Sequence, residues 1–243
     1  MQNYVDKYIN TTRNKFDVEL EAVRRYYVVK TLLAQPYNSI LDVGSGTATY
    51  FDYVDQDAAY IIIEPERKFC GELSKYMKQS GRSYSNVVVW PYKIEDLSLA
   101  IKFDVIILSS VLHLVDNVEI VLNKIRSLSH KDTIVHINVP NAHSVHRVLG
   151  RELGLLKRLD GLSDKDLEFG HKRIFTMKTL IDCLTKSNMY ITTKGSYLLK
   201  PFDEVKMEKL IEDEPTLIYG LNKVAQKLKY LGCEIFVEAR FIL

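Results

Sequence analysis

The stretch "ILDVGSGTATYF" (residues 40–51) decides how the chain is read. A short apolar run meets a carboxylate, Asp42, and then two glycines separated only by Ser45. An apolar run ending at glycine is where a buried strand stops and the backbone turns sharply, and Gly44 and Gly46 would let that backbone approach a ligand closely. Twenty residues beyond Gly44, a second apolar run, "YIIIE" (60–64), ends in Glu64, suitably placed to accept hydrogen bonds from two ribose hydroxyls. Together the turn and the two acidic strand ends predict a nucleoside site. A dinucleotide fingerprint needs a third glycine where Thr49 stands, with Ala48 the next small residue. A carboxylate just ahead of the first glycine also suits a ligand with a cationic amine better than a pyrophosphate.

Outward from this turn, short runs rich in β-branched residues recur at 39–43, 60–64, 86–90, 104–109 and 133–139, mostly with room for a helix between them. Runs apolar on both faces that alternate with helical segments predict buried parallel strands, so the fold class is α/β, doubly wound. A helix is expected over 16–34, ending before Pro36. Beyond Pro140 the pattern changes to a polar segment (141–175), a helix at 177–187, a strand at 189–199, a helical region and a last strand at 233–242. No internal repeat of solenoid length is present.

Bulk composition narrows the function classes. Of 243 residues, 47% are apolar and 26% charged, ordinary for a soluble globular protein, and the net charge of +2 gives no reason to expect nucleic acid or a membrane surface as partner. Cys70, Cys183 and Cys233 are far apart and odd in number, which fits a reducing cytoplasm better than a disulfide framework or a zinc site. The N-terminus lacks the apolar run of a signal peptide, and no segment approaches a membrane span. The expectation is a cytoplasmic protein, monomer or homodimer, acting on a small molecule.

With "ILDVGSGTA", Glu64, "YKIEDL" (92–97) and "FDVIILSSVLHLVDN" (103–117) in this order and spacing, residues 37–140 resemble the class I S-adenosylmethionine-dependent methyltransferases. The resemblance implies a Rossmann-like seven-stranded sheet with its last strand antiparallel, and S-adenosyl-L-methionine as cofactor. It implies that Asp42 and the backbone of Gly44, Ser45 and Gly46 lie near the methionine part, Glu64 on the ribose, Ile94 and Glu95 beside adenine, and Ser109 and Ser110 near the amino-acid end. Two departures are visible. Lys93 stands where many members have Asp, and the triplet after the fourth strand reads Leu-His-Leu, with His113 in the position that is acidic in many members.

Half of the six histidines fall in "HINVPNAHSVHRVLG" (136–150), where an apolar strand runs into an amide, two imidazoles and a guanidinium. This segment, "LSDKDLEFGHKRIFT" (162–176) and the closing "GCEIFVEAR" resemble a narrower branch of these enzymes, with PNxxSxHRxxG and GHxR stretches, often associated with polysaccharide or natural-product assembly. Methyl transfer is an in-line displacement, so the protein mainly orients the acceptor and excludes water. A hydroxyl acceptor needs a base near neutral pKa, which makes His143, His146 and His171 the catalytic candidates. A phosphate, phosphonate or carboxylate needs none, and Arg147 and Arg173 would clamp it, with Asn141 beside them as a further substrate-binding candidate. His136, inside the strand, reads as structural, and no metal is expected. Tyr4, Tyr8 and Phe16 read as core before cofactor cover, and the mixed charges of 151–173 read mostly as a solvated face.

The expected organisation is an N-terminal helical cap (1–36), the cofactor core (37–140), a substrate lid (141–176) and a completion of the sheet (177–243). The expected reaction is O-methylation of a small metabolite, a sugar or an anionic group. Amine or peptide N-methylation, a noncatalytic nucleoside-binding protein and a nicotinamide dehydrogenase are the alternatives.

Overall fold

A computed structural model describes residues 14–243, so Tyr4, Tyr8 and most of the first half of the expected cap lie outside the described residues. Helix α1 (Lys15–Leu32) starts where the side chain of Asn14 accepts the Asp17 amide at 2.8 Å. Strands β1 (Ser39–Val43), β2 (Ala59–Ile63), β3 (Val87–Trp90), β4 (Phe103–Ser109) and β5 (Ser129–Pro140) follow, with α2 (Arg67–Gln79) and α3 (Val118–Ser127) among them. Two short helices, α4 (Val145–Glu152) and α5 (Asp164–Glu168), carry the segment after β5. Helix α6 (Met177–Lys186), β6 (Met189–Tyr197), α7 (Glu204–Asp213), α8 (Leu217–Lys227) and β7 (Glu234–Phe241) complete the chain.

All seven strands form one sheet in the order β3-β2-β1-β4-β5-β7-β6. The first five are parallel, and β7 inserts antiparallel between β5 and β6. The chain order reverses between β1 and β4, which opens a crevice at the carboxyl ends of the strands.

Alternation along the strands divides the core. Leu41, Val43, Ile106, Leu108, Val135 and Ile137 pack on one face under α3 and α6, while Ile40, Tyr60, Ile62, Val105 and Ile107 pack on the other under α1 and α2. Each fully buried aliphatic side chain contributes roughly 1.5–3 kcal/mol of transfer free energy, so strands buried on both faces anchor the crevice rigidly. Phe16 is fully buried beside Tyr27, Tyr197 and Met207, as core rather than cover.

Two strand boundaries differ from the sequence reading by more than one residue. Strand β5 starts four residues earlier than expected, at Ser129, because its polar opening is bound tertiarily: His130 Nε2 lies 3.0 Å from Asp104, and Thr133 donates to the Phe103 carbonyl. Strand β6 ends at Tyr197, not 199, because Leu198 takes a left-handed φ of 50°. No described helix is long and apolar enough to cross a membrane.

Candidate functional site

The turn after β1 is built as its glycines require. Gly44 has φ 66° and Gly46 φ 58°. A Cβ at Gly44 would sit 2.7 Å from Val111 Cγ2, whereas one at Gly46 would meet nothing within 4 Å. Gly44 therefore lets the loop after β4 approach, and Gly46 faces open space. Glu64 reaches back to this turn: one carboxylate oxygen accepts the Gly46 amide at 2.8 Å and the other the Glu66 amide at 2.9 Å. Burial raises the Glu64 pKa, and those two amides oppose the rise.

Asp42 is fully buried. Tyr60 donates to its Oδ2 at 2.8 Å, and Oδ1 has no hydrogen-bond partner among the described residues. Burial pushes its carboxyl up to about 7. Ser45 Oγ donates to the Ala48 carbonyl, Ile94 is buried at the head of a short turn, and Glu95 beside it is half-buried. At the end of β4, Ser109 Oγ shares a hydrogen bond with Tyr50 Oη at 2.9 Å. Ser110 takes φ 59°, its amide donates to Asn138 O, and its Oγ accepts from Asn138 Nδ2 at 3.2 Å.

The segment after β5, residues 141–176, is joined to this side by a short seam. The Lys172 amide donates to the His113 carbonyl at 2.8 Å, and the Arg173 guanidinium donates to the carbonyls of Leu112, Val115 and Asp116. Arg147, 7% exposed, donates to the Leu159 and Gly161 carbonyls and to Asp166. The anion clamp expected of these two arginines is therefore not an open one; backbone carbonyls, which need donors wherever a loop is buried, have taken them up. Asn141 likewise turns inward, donating to Tyr230 O and Gly232 O and accepting the His143 amide, a staple between β5 and the loop before β7.

The three histidine candidates part company. His143 is exposed. His146 is largely enclosed, and burial, then Lys200 and Arg147, pushes it down to about 3. His171 lies against His113 and Asp166. His136 is fully buried with Thr31 Oγ1 2.8 Å from its Nδ1, and burial pushes it down to about 4.

Sequence reasoning missed a buried cluster where the carboxyl end of β5 meets the amino end of the antiparallel β7. Arg24 of α1 makes a bidentate pair with Glu234, which also accepts from Tyr197 Oη and from Asn138 Nδ2 at 2.9 Å. Burial opposes ionisation of Glu234, yet Arg24 holds its carboxyl below the usual range. Only the isolated acidic residue at the head of an apolar strand hinted at it. Among the described residues no group of His, Cys, Asp and Glu is arranged to hold a metal.

Residues 41–135 match a family model described as a methyltransferase domain. No curated protein matches the chain in sequence. Among solved structures, an S-adenosylmethionine-dependent methyltransferase from Thermotoga maritima superimposes with a TM-score of 0.65 at 18% identity, covering 98% of this chain and 97% of that one. The 1,6-didemethyltoxoflavin-N1-methyltransferase of Burkholderia thailandensis, with 1,6-didemethyltoxoflavin and S-adenosylhomocysteine bound, gives 0.61 at 15% identity, covering 98% and 85%. Magnesium protoporphyrin IX methyltransferase of Synechocystis, with S-adenosylhomocysteine bound, gives 0.60 at 14%, covering 92% and 84%. At these identities the likeness is one of fold.

Proposed function

We propose that this chain, whose residues 41–135 carry a methyltransferase domain, is an S-adenosylmethionine-dependent methyltransferase acting on an oxygen of a small acceptor. The observation that carries the reading is the pair of buried carboxylates at the glycine turn: Asp42 with an unpartnered Oδ1, and Glu64 holding the turn through Gly46. An orphaned buried carboxylate oxygen is costly unless a donor arrives, and a cationic amino acid supplies one. Glu64 retains lone pairs for ribose hydroxyls beyond the two amides it accepts. These residues fit the cofactor, with Ile94 and Glu95 beside adenine and Ser109 and Ser110 toward the amino-acid end.

When bound, S-adenosylmethionine supplies an electrophilic methyl group on a sulfonium. The chain's residues do the rest: the glycine turn and Glu64 orient, the lid excludes water, and a histidine takes the acceptor proton. The stretches Pro140–Gly150 and Gly170–Arg173 support the narrower reading, an acceptor of polysaccharide or natural-product assembly, and the dispersed cysteines support a cytoplasmic setting.

The test is calorimetric titration with S-adenosylhomocysteine and with NAD, followed by turnover of labelled S-adenosylmethionine on acceptors matched as neutral hydroxyl and phosphorylated or carboxylated forms. We expect homocysteine-adduct binding, weakened roughly 10- to 150-fold in Glu64→Gln, the loss of one charge-assisted hydrogen bond of about 1.5–3 kcal/mol. Binding of NAD instead would end the reading, and binding without turnover on any acceptor would favour the noncatalytic alternative.

A further inference from the structure

Within the lid, Asp166 and His171 are arranged as no other pair in the site is. His171 Nδ1 lies 3.2 Å from Asp166 Oδ1, within ion-pair reach though off the line of a hydrogen bond, and its ring meets the His113 ring edge to face, with centroids 4.4 Å apart at 76°. His113 is 4% exposed, and its Nδ1 has no hydrogen-bond partner among the described residues. The orientation of Asp166 is fixed from behind: its Oδ2 accepts the Ser163 amide at 2.8 Å, Ser163 Oγ at 2.7 Å and Arg147 Nη1 at 3.3 Å, which turns Oδ1 toward His171. The seam at Lys172 and Arg173 joins this group to the loop that begins at Ser110 and rests through Val111 on Gly44.

Resting on the methyltransferase reading, we propose that His171 is the general base of the transfer and Asp166 the positioning residue that fixes its tautomer, so that the acceptor is a neutral hydroxyl. A carboxylate at Nδ1 favours the Nδ1–H form and leaves the Nε2 lone pair for the substrate. The acceptor oxygen forms a bond to the methyl carbon while the carbon–sulfur bond breaks, its electron pair remaining on sulfur as a thioether. The acceptor proton passes to His171 Nε2 and from there to solvent. An anionic acceptor needs no base and would face the Asp166 carboxylate, with the nearby guanidiniums already engaged.

The electrostatics agree. Burial opposes ionisation of Asp166, but the adjacent His171 ring and the hydrogen bonds from Ser163 outweigh this and hold the carboxyl well below the usual range, ready to stabilise an imidazolium. His113 is driven well below the ordinary histidine range by burial first, then by His171, Arg24 and Arg173, with Asp166 acting the other way. It stays neutral and does not compete for the proton.

The experiment is long-range proton–nitrogen correlation spectroscopy on the full chain with 15N-labelled histidine and saturating S-adenosylhomocysteine, His171 being assigned by the signal lost in His171→Gln. The expected wild-type spectrum shows His171 in one neutral tautomer with Nδ1 protonated. In Asp166→Asn, the three donors on the Oδ2 side keep the amide oxygen there, so the amide nitrogen faces His171 and the tautomer switches to Nε2–H; Asp166→Glu restores the wild-type form should the Asn variant not fold. An Nε2–H wild-type His171, a tautomer indifferent to Asp166, or turnover confined to anionic acceptors would overturn the proposal. Failure of wild-type protein to bind S-adenosylhomocysteine would instead overturn the methyltransferase reading, and calorimetry in the same samples keeps the two apart.

Discussion

Gly44→Ala and Gly46→Ala make a matched pair, because both glycines share a left-handed backbone yet look onto different surroundings. Placing alanine in that conformation costs about 1–2 kcal/mol in either variant. At Gly44 the new methyl lands 2.7 Å from Val111 Cγ2, on a stiff β-branched side chain that is itself 7% exposed, so overpacking adds about 1–3 kcal/mol. For a chain of this length each kcal/mol shifts Tm by about 2–4 °C, giving a fall of roughly 4–20 °C for Gly44→Ala against roughly 2–8 °C for Gly46→Ala. Binding should rank the other way relative to stability: Gly46→Ala places a methyl where a ligand would approach, and loses affinity for S-adenosylhomocysteine out of proportion to its melting temperature. Thermal melts and calorimetric titration on both variants read the two effects. A Gly46→Ala protein that binds at wild-type affinity, or equal destabilisation of the pair, would refute this account of the turn.

Asp42 has a folded-state pKa of about 7 against an ordinary 3.8, so between those values the folded state holds a proton that the unfolded chain releases. Stability should fall as pH rises through this window, by at most about 4 kcal/mol, and urea titrations of Asp42→Asn should show the slope removed while S-adenosylhomocysteine binding weakens. Removing Arg24 leaves Glu234 buried beside Tyr197 and Asn138 without its counter-charge, an expected loss of about 3–5 kcal/mol in Arg24→Ala. The double variant Arg24→Met with Glu234→Gln should recover most of that in thermal unfolding; no recovery would assign the loss to packing of α1. Because Glu234 is held below its ordinary range, the stability it contributes is present above the unfolded-state value and should be lost as pH falls through the folded one.

What the sequence disclosed follows from how local each signal is. Strand β1 was legible to the residue, and β2 and β4 to within one, because strands buried on both faces announce themselves as continuous apolar runs. The glycine turn was legible because a left-handed backbone selects its residue type. The polar opening of β5 was not, since Asp104 and Phe103, which satisfy it, lie on another strand. The mixed charges of 151–173 read as a solvated face, yet Arg147 and Asp166 are drawn inward by carbonyls and by one another, and no spacing rule distinguishes that from solvation. Arg24 sat unnoticed among the other charged residues of α1 because its partner is 210 residues away.

That separation bears on how the protein comes into being. Arg24 leaves the ribosome long before Glu234, and at a synthesis rate of about 5–20 residues per second the interval is roughly 10–40 s. Until β7 slides between β5 and β6, the guanidinium of α1 has no carboxylate to meet, β5 presents an open edge, and Asn138 lacks one of its acceptors. A nascent chain with the glycine turn already formed would therefore still be incomplete at the end of β5, and the finished sheet should arrive in one late step, when β7 is in place.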